Sequence, residues 1–373
     1  MKQSDILPCQ IQQWYPRFHS VSIRTILLPL PESFIDFLLD DGGLFLPKTN
    51  EDEDALPARV KITCPDLQAE DYHPWQEEEE EEEGGGQHPA NAATFPDLEK
   101  AVKESIKTLG GFVFPKLNWS APKDTAWIST NGTLKCSSFS EIVLLLKASD
   151  SLVHDLCHAF DSCEDKTLER PSQFYLALRK WYDLRPEMEF RGFVKGGVLV
   201  GICQREVTGF YPALLEKLDQ LEDSIFDFFR EYISEKFETL DYAFDCYVRK
   251  DGKVKLVDFN PWGGFTLPLL FTWEDLGSKY VEADERINVM VANRALKGDL
   301  RLTDKTELNL RLREEGYKLD FRVVESEGCV QPSLRASSGV PYDYIDTGPG
   351  SAWDEFLRKA DEEIKRQANA AGA

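Results

Sequence analysis

Two aspartates and an asparagine in the second half of the chain have the spacing of a divalent-cation site. In the segment 242–261, two runs rich in apolar residues flank Asp251 and Gly252, a pair that favours the centre of a two-residue hairpin turn. A turn at that place fixes the register of the two strands and sets Asp245 directly opposite Asp258. The sequence therefore predicts a β-hairpin with two carboxylates face to face.

Two carboxylates in that arrangement lie roughly 5 Å apart at Cβ and destabilise a sheet unless something neutralises them. Asn260, two residues beyond Asp258, projects from the same face of the hairpin. Oxygen ligands of this kind suit Mg²⁺, with phosphate oxygens completing an octahedron. The predicted metal ligands are Asp245, Asp258 and Asn260. The alternative is an aspartate pair that a nearby arginine or lysine bridges.

Three basic residues on other apolar strands are candidates for binding the phosphates. Lys116 ends one apolar run, and Arg191 and Arg205 lie on two neighbouring predicted strands. An inward-facing guanidinium is unfavourable without an anion, and its planar fork suits phosphate oxygens. Taken singly, each of the three also has an ordinary structural alternative. The sequence has no glycine-rich phosphate loop and no dinucleotide fingerprint, so a Walker-type or Rossmann site is not expected.

The elements that must position these residues mix helix and strand. Helical periodicity and capping signals predict helices at 32–39, 98–109, 138–149, 213–237 and 352–367. Apolar runs predict strands at 112–119, 125–129, 133–136, 174–182, 189–194 and 198–204, besides the hairpin. An N-terminal aromatic group precedes them, made of Trp14, Tyr15, Pro16 and Phe18. This order of elements indicates an α+β protein.

Composition bounds the class of protein. The 373 residues carry a formal net charge of −23, which argues against binding to the phosphate backbone of a nucleic acid. Residues 49–95 include the glutamate run 77–83 and contain too little apolar surface to fold, so they are predicted to be a disordered acidic insertion. The eight cysteines form no CxxC pair, and no apolar run is long enough to cross a membrane. We therefore expect a monomeric cytoplasmic protein with reduced thiols.

Several motifs make the chain similar to a known family. They are Trp14-Tyr-Pro, Phe114-Pro-Lys-Leu-Asn-Trp-Ser-Ala-Pro, Leu178-Arg-Lys-Trp, Glu189-Phe-Arg, Gln204-Arg and Asp258-Phe-Asn-Pro. Together they resemble the ATP-grasp fold and, more narrowly, the cell division cycle protein 123 family, over nearly the whole chain. The resemblance implies two α+β lobes with a nucleotide between them.

The resemblance also implies how the chain is divided. The first lobe would span 96–178, with 1–48 as its N-terminal part, and the second lobe, which carries the metal-binding hairpin, would span 179–275. Residues 276–373 would form a C-terminal extension. That extension and the N-terminal aromatic group are the candidate surfaces for a partner.

Carried over by motif, the resemblance implies a set of ATP ligands. Lys116 would contact phosphates, and the loop beside it would be shaped by Asn118, Ser120, Ala121 and Asp124. The adenine hinge would be formed, largely through the backbone, by Arg179, Lys180 and Trp181, and Glu189 would hold the ribose. The triphosphate would be lined by Arg191, Gln204 and Arg205, and Mg²⁺ would be bound by Asp245, Asp258 and Asn260. ATP-grasp ligases commonly have a glutamate where this chain has Asp258.

The resemblance finally implies a function. The family binds ATP and assists assembly of the heterotrimeric translation initiation factor 2, by engaging its gamma subunit so that the alpha subunit can join. An ATP- and Mg²⁺-binding assembly chaperone with the gamma subunit as partner is therefore expected, and enzymatic turnover is left open. One alternative is an ATP-grasp ligase that joins a carboxylate to an amine through an acyl phosphate. Another is a scaffold that binds protein without nucleotide.

Overall fold

The computed structural model describes residues 1–40, 47, 94–165, 167–295 and 304–329. The predicted acidic insertion at 49–95 lies outside the described residues except for its last two positions, and so does the predicted helix at 352–367. In the described part of the chain, no helix is both long enough and apolar enough to cross a bilayer.

The described residues form helices and strands in mixed order. The α-helices are α1 Gln3–Ile6, α2 Ile11–Phe18, α3 Glu32–Leu39, α4 Pro96–Leu109, α5 Phe139–Lys147, α6 Asp150–Val153, α7 Pro212–Leu215, α8 Leu218–Phe228, α9 Trp273–Ala295 and α10 Lys305–Glu314. The strands are β1 Thr25–Pro29, β2 Val113–Lys116, β3 Tyr175–Lys180, β4 Glu189–Lys195, β5 Val198–Gln204, β6 Tyr242–Val248, β7 Val254–Pro261 and β8 Asp320–Arg322. Short 3₁₀ helices span Leu7–Cys9, Lys123–Ile128, Pro186–Met188 and Glu327–Cys329, and π turns span His154–His158 and Phe229–Ile233. The predicted α+β class is confirmed.

The first sheet is antiparallel, with strand order β1-β3-β2, and helices cover one of its faces. Helix α4 shows why these residues are helical. Pro96 suits the first turn, Asp97 complements the positive end of the helix, and Gly110 ends it with φ 99°. Val102 and Ile106, one turn apart, are buried in the core beneath this sheet.

The opposite face of the first sheet carries candidate site residues. Leu176 and Leu178 of β3 belong to the core under the helices, so Ala177 and Arg179 project from the other face. Ala177 packs in the core of the second sheet. Lys116 is paired directly with Ala177 and therefore shares its face. The first sheet thus presents one lysine and one arginine toward the second.

The second sheet has the strand order β7-β6-β4-β5-β8, antiparallel except for β8, which is parallel to β5. Helices α2 and α8 pack on one face, and α9 packs on the other. The N-terminal aromatic group belongs to this core: Trp14 and Phe18 are buried, with ring centroids 5.6 and 5.2 Å from that of Phe259. The prediction that it forms a partner surface is wrong, because its large rings stabilise the fold from inside.

The β6–β7 hairpin keeps the predicted pairing, but its turn differs from the prediction. The loop has three residues rather than two: the amide of Gly252 donates to the carbonyl of Arg249 at 2.9 Å, and Gly252 has φ 77°. A three-residue loop that ends on a left-handed glycine is a common hairpin connection. An irregularity next to Asp245 absorbs the extra residue, so Asp245 still faces Asp258.

Two short strands predicted at 125–129 and 133–136 do not form. The first segment is a 3₁₀ helix, and the second makes a single bridge, between Cys136 and Val113. Local side-chain bonds compete with the sheet here, since Asn131 Oδ1 accepts a hydrogen bond from the backbone amide two residues later, at 3.0 Å.

The helices after the first sheet agree only partly with prediction. The helix predicted at 213–237 is broken at Lys217, which has φ −121° and ψ 7°, and its later part ends in a π turn. Helix α9 was not predicted, because its apolar periodicity is weak in the sequence. The helix that capping signals predict at 138–149 forms as α5, with Ser138 and Glu141 each bonding the other's backbone amide in a capping box.

Candidate functional site

A row of charged residues crosses the second sheet. Arg191 on β4 is paired directly with Asp245 on β6, which is paired in turn with Asp258 on β7. Directly paired residues share a face, so these three side chains point the same way. The two strand registers therefore bring one arginine beside the two predicted metal-binding carboxylates.

Asp245 is 1% exposed, and two arginines neutralise it. Arg191 holds its carboxylate at two points, with Nε–Oδ1 2.7 Å and Nη2–Oδ2 2.9 Å, and Arg205 Nε donates to Oδ2 at 2.9 Å. Burial opposes ionisation of Asp245, but the charges of the two arginines outweigh it and hold the pKa of this carboxyl well below its usual range. Asp245 is therefore ionised at neutral pH despite being buried.

Asp258 is neutralised from the other sheet. Lys116 Nζ lies 2.7 Å from Asp258 Oδ2, and the two side chains are 3% and 16% exposed. The same ammonium donates a second hydrogen bond to the carbonyl of Trp119. Because Lys116 ends β2 and Asp258 lies on β7, this ion pair joins the two sheets.

Each aspartate is thus neutralised by its own basic partners, Asp245 by two arginines and Asp258 by a lysine, and no single side chain of the described residues bridges the two; the metal assignment stays a prediction. Within the described ranges, no group of three or more His, Cys, Asp or Glu is arranged to hold a metal. The donor chemistry nevertheless fits Mg²⁺, which usually keeps several waters and takes one or two carboxylates together with phosphate oxygens. Asp258 is the more accessible carboxylate, and Asn260 places its amide beside Asp245, with Nδ2–Oδ2 3.4 Å.

Arg179 is buried without a counter-ion in hydrogen-bond contact. Its side chain is 1% exposed, and among the described residues neither Nε nor Nη2 has a hydrogen-bond partner. The guanidinium lies 5.3 Å from the ring centroid of Phe114. Burial lowers the pKa of Arg179, although the charges of Asp258, Tyr15 and Glu189 act in the opposite direction. Since an unpaired buried guanidinium is unfavourable, this point of the site is short of an anion.

The first sheet already uses part of the predicted adenine hinge. Arg179 lies on the central strand, so its backbone is flanked by a strand on each side. The amides of Lys180 and Trp181 donate to the carbonyls of Arg24 and Phe112 at 2.8 and 3.1 Å. If this hinge recognises adenine, it would therefore use backbone carbonyl oxygens of residues 179–181, or residues after Trp181.

The predicted loop residues hold the loop itself together. Asn118 is fully buried, and its Oδ1 accepts a hydrogen bond from the amide of Tyr175 at 2.8 Å. Asp124 accepts hydrogen bonds from the amide and hydroxyl of Ser151, at 3.1 and 2.9 Å. The carbonyl of Ala121 accepts from the amide two residues later, at 2.7 Å. These contacts hold the loop beside the lysine in place, and a role of these residues in binding ATP stays a prediction.

A residue that the sequence analysis missed holds the same loop. Asp155 lies in the π turn after α6, is buried, and accepts hydrogen bonds from the amide and hydroxyl of Ser120, both at 2.7 Å. It also accepts from the amide of Trp119 at 3.2 Å. A single aspartate in a helical segment gives no sequence signal, and only the folded chain brings it to the loop.

The structure separates Gln204 from the other predicted triphosphate ligands. It is paired with Phe190, so it shares a face with the buried core rather than with the charged row. Its Oε1 accepts a hydrogen bond from the amide of Val324 at 3.1 Å, which ties β5 to the end of the described chain. Glu189 does adjoin the charged row, with Oε2 3.5 Å from Nη1 of Arg205, and its contact with a ribose stays a prediction.

Comparison with known proteins identifies the family. The model of the D123 family matches residues 14–348. The chain belongs to the D123 family. It is similar to a protein from Xenopus tropicalis named translation initiation factor eIF2 assembly protein, with 38% identity over 350 residues, 94% of this chain and 93% of that one.

Two further relatives extend the comparison. A protein of the same name from Dictyostelium discoideum is 35% identical over 364 residues, which cover 92% of each chain. The solved structure of Cdc123 from Schizosaccharomyces pombe has a TM-score of 0.61 and 27% identity, and the match covers 87% of this chain and 99% of that chain. The chain therefore spans nearly the whole length of these relatives, and the family resemblance seen in the motifs is confirmed.

Proposed function

We propose that the chain is a monomeric cytoplasmic assembly chaperone. It binds MgATP between its two sheets and promotes formation of the eIF2 heterotrimer by engaging the gamma subunit. Relatives named eIF2 assembly protein match it over nearly their whole length, which supports the role in assembly. The observation that carries the nucleotide proposal is Arg179, a buried guanidinium that lacks an anion.

The charge of the site favours a polyphosphate as that anion. Lys116 and Arg179 project from the same face of the first sheet, while Asp258 is the carboxylate that meets them from the second. Arg191 and Arg205 are already matched by Asp245. A phosphate group between the sheets would give Arg179 the planar, bidentate partner that guanidinium groups bind well.

Magnesium and nucleotide would enter this site together. The cation, when bound, would neutralise part of the phosphate charge, held by Asp258 with Asn260 and Asp245 adjoining. Lys116, released from Asp258, would then bind a phosphate oxygen. Either component alone would break the Lys116–Asp258 ion pair and leave one of its charges buried without a partner, which is strongly unfavourable.

Thermal unfolding of the full chain tests this proposal. MgATP at a hundredfold excess over its Kd stabilises a folded protein by about 2.7 kcal/mol. We expect a raised Tm with ATP and Mg²⁺ together, a much smaller rise with either alone, and loss of most of the rise in Asp258→Asn. The matched control is Asp251→Asn in the exposed hairpin turn, which should keep the full rise. An unchanged rise in Asp258→Asn would refute the assignment of the cation to this carboxylate.

The C-terminal extension begins with α9, one side of which exposes two valines. Val281 and Val289 are 56% and 60% exposed and lie eight residues apart on the same side of the helix. This face is part of the proposed contact with the gamma subunit. Replacing both valines by glutamate should weaken capture of purified gamma subunit, whereas Leu240→Glu, at a leucine that is 52% exposed, should not. Equal capture by all variants would exclude α9 from the contact.

A further inference from the structure

Asp155 controls the peptide on which the Lys116 ammonium rests. Lys116 Nζ donates to the carbonyl of Trp119, and Asp155 accepts from the amide of Ser120 at 2.7 Å. That carbonyl and that amide belong to one peptide unit, which is planar and turns as a single body. The peptide is therefore held at both ends, by Asp155 at its N–H and by Lys116 at its oxygen.

The remaining contacts of Asp155 reinforce this arrangement. Its carboxylate also accepts from the hydroxyl of Ser120 at 2.7 Å and from the amide of Trp119 at 3.2 Å. Burial raises the pKa of Asp155, whereas these hydrogen bonds and the charge of Lys116 act to lower it. Hydrogen bonds in series polarise one another, so a carboxylate at the N–H end makes the carbonyl a stronger acceptor for the ammonium.

We propose that Asp155 is a positioning residue of the nucleotide site, which fixes the Trp119–Ser120 peptide so that Lys116 stays aimed at a phosphate. Lys116 needs this positioning when a cation takes Asp258. It then loses one of its two hydrogen-bond partners, Asp258, and keeps the other, the carbonyl of Trp119. Asp155 would touch neither nucleotide nor cation. This inference rests on the proposed nucleotide binding.

A double-mutant cycle on MgATP affinity, measured with the full chain, tests the inference. Asp155→Ala should weaken binding by about tenfold or more, since loss of hydrogen bonds to a charged group is worth over a decade in affinity. In a Lys116→Met background the same change should have no further effect. Additive losses in the two backgrounds would show a merely structural role and would overturn the proposal.

Rescue by the conservative variant gives a second readout. In Asp155→Asn the amide oxygen accepts both backbone N–H groups and the amide nitrogen donates to the Ser120 hydroxyl, so affinity should stay within about threefold of the unsubstituted chain. A loss as large as that of Asp155→Ala would contradict positioning by hydrogen bonds. The matched control is Asp161→Ala, which removes an exposed carboxylate from the same segment and should leave affinity unchanged.

Three further outcomes are decisive. If Asp155→Ala does not fold, Asp155→Glu replaces it: the longer side chain keeps the charge but displaces the carboxylate from the peptide, and unchanged affinity would overturn the proposal. If the unsubstituted chain binds no MgATP, both this inference and the proposed function fall. If it binds MgATP but the cycle is additive, only the role of Asp155 falls.

Discussion

The two sheets treat buried charge in opposite ways. On the second sheet, Arg191 and Arg205 enclose Asp245, so the guanidinium groups and the carboxylate satisfy one another inside the protein. On the first sheet, Arg179 is equally buried but has two nitrogens without a partner among the described residues. Lys116 links the two sides through Asp258.

This difference separates charges that are paired within the protein from a buried charge that has no partner among the described residues. A closed network such as that of Asp245 stabilises the strands that carry it and is strongly destabilising when one member is removed. A buried cation without a partner destabilises the protein that carries it, so it is retained only where something else compensates. Under the proposed function, the anion would lie at the first sheet and the second sheet would form the rigid base of the site.

The largest expected effect is on the closed network. Arg191→Met leaves the buried Asp245 with a single guanidinium and should lower the free energy of unfolding by about 3–5 kcal/mol. Urea denaturation of the full chain measures it. Arg249→Met, which removes an exposed ion pair with Asp251, is the control and should cost less than about 1 kcal/mol. Similar small losses in both variants would show that the network is not structural.

A smaller loss is expected where the two sheets meet. Lys116→Met should lower the free energy of unfolding by about 2 kcal/mol, less than a fully buried pair, because Asp258 keeps some contact with water. Lys255→Met, at a partly exposed lysine of β7 that donates to the carbonyl of Ser20, is the control. A loss equal to that of the control would mean that the ion pair between the sheets contributes nothing.

The pH dependence of stability should show the network as well. The arginines hold the pKa of Asp245 below its unfolded value, so its contribution is complete above that unfolded value, near 4, and is lost as the pH falls below it. Each pH unit in that range removes up to about 1.4 kcal/mol. Between about pH 4 and pH 3, the unsubstituted chain should therefore lose more stability than Asp245→Asn does. Parallel losses would contradict the lowered pKa.

The smallest expected effect has the opposite sign. Arg179→Met removes a buried charge without a partner and should raise the free energy of unfolding by about 1 kcal/mol in the absence of nucleotide. Urea denaturation measures this change alongside Arg191→Met, which replaces the same side chain on the other sheet. A loss of stability comparable to that of Arg191→Met would erase the difference between the sheets.

Local signals predicted the part of the site that lies within one hairpin. That Asp245 faces Asp258 was predicted from the register that a nearby turn imposes. The predicted turn type was wrong, but the pairing is correct because an irregularity in the strands compensates for the extra loop residue. The arginine beside them was not assigned to Asp245 from sequence, since the pairing of Arg191 joins strands that are distant in the chain. Register between distant strands is fixed by tertiary packing, which a local pattern does not contain.

The same limit explains what else was missed. The contacts of Asp155, and the lack of partners at two nitrogens of Arg179, depend on residues that are far away in sequence. The fold class was predictable because it depends on the order of helices and strands. Helix α9 was not predictable, because its apolar periodicity is weak and its packing on the second sheet stabilises it instead. Trp14 and Phe18 were predicted to lie on a partner-binding surface, but they are buried. The local sequence could not show this, because the rest of the chain decides whether an N-terminal segment is buried.

Equilibrium dialysis of labelled ATP with Mg²⁺ against the full chain tests the central claim most directly. The unsubstituted chain should bind one nucleotide per molecule, and Arg179→Met, which should stay folded, should bind at least about tenfold more weakly, as expected for loss of a bond between charged groups. An absence of bound nucleotide, or equal binding by the two proteins, would contradict the claim that the unpaired guanidinium between the sheets is where the phosphates belong.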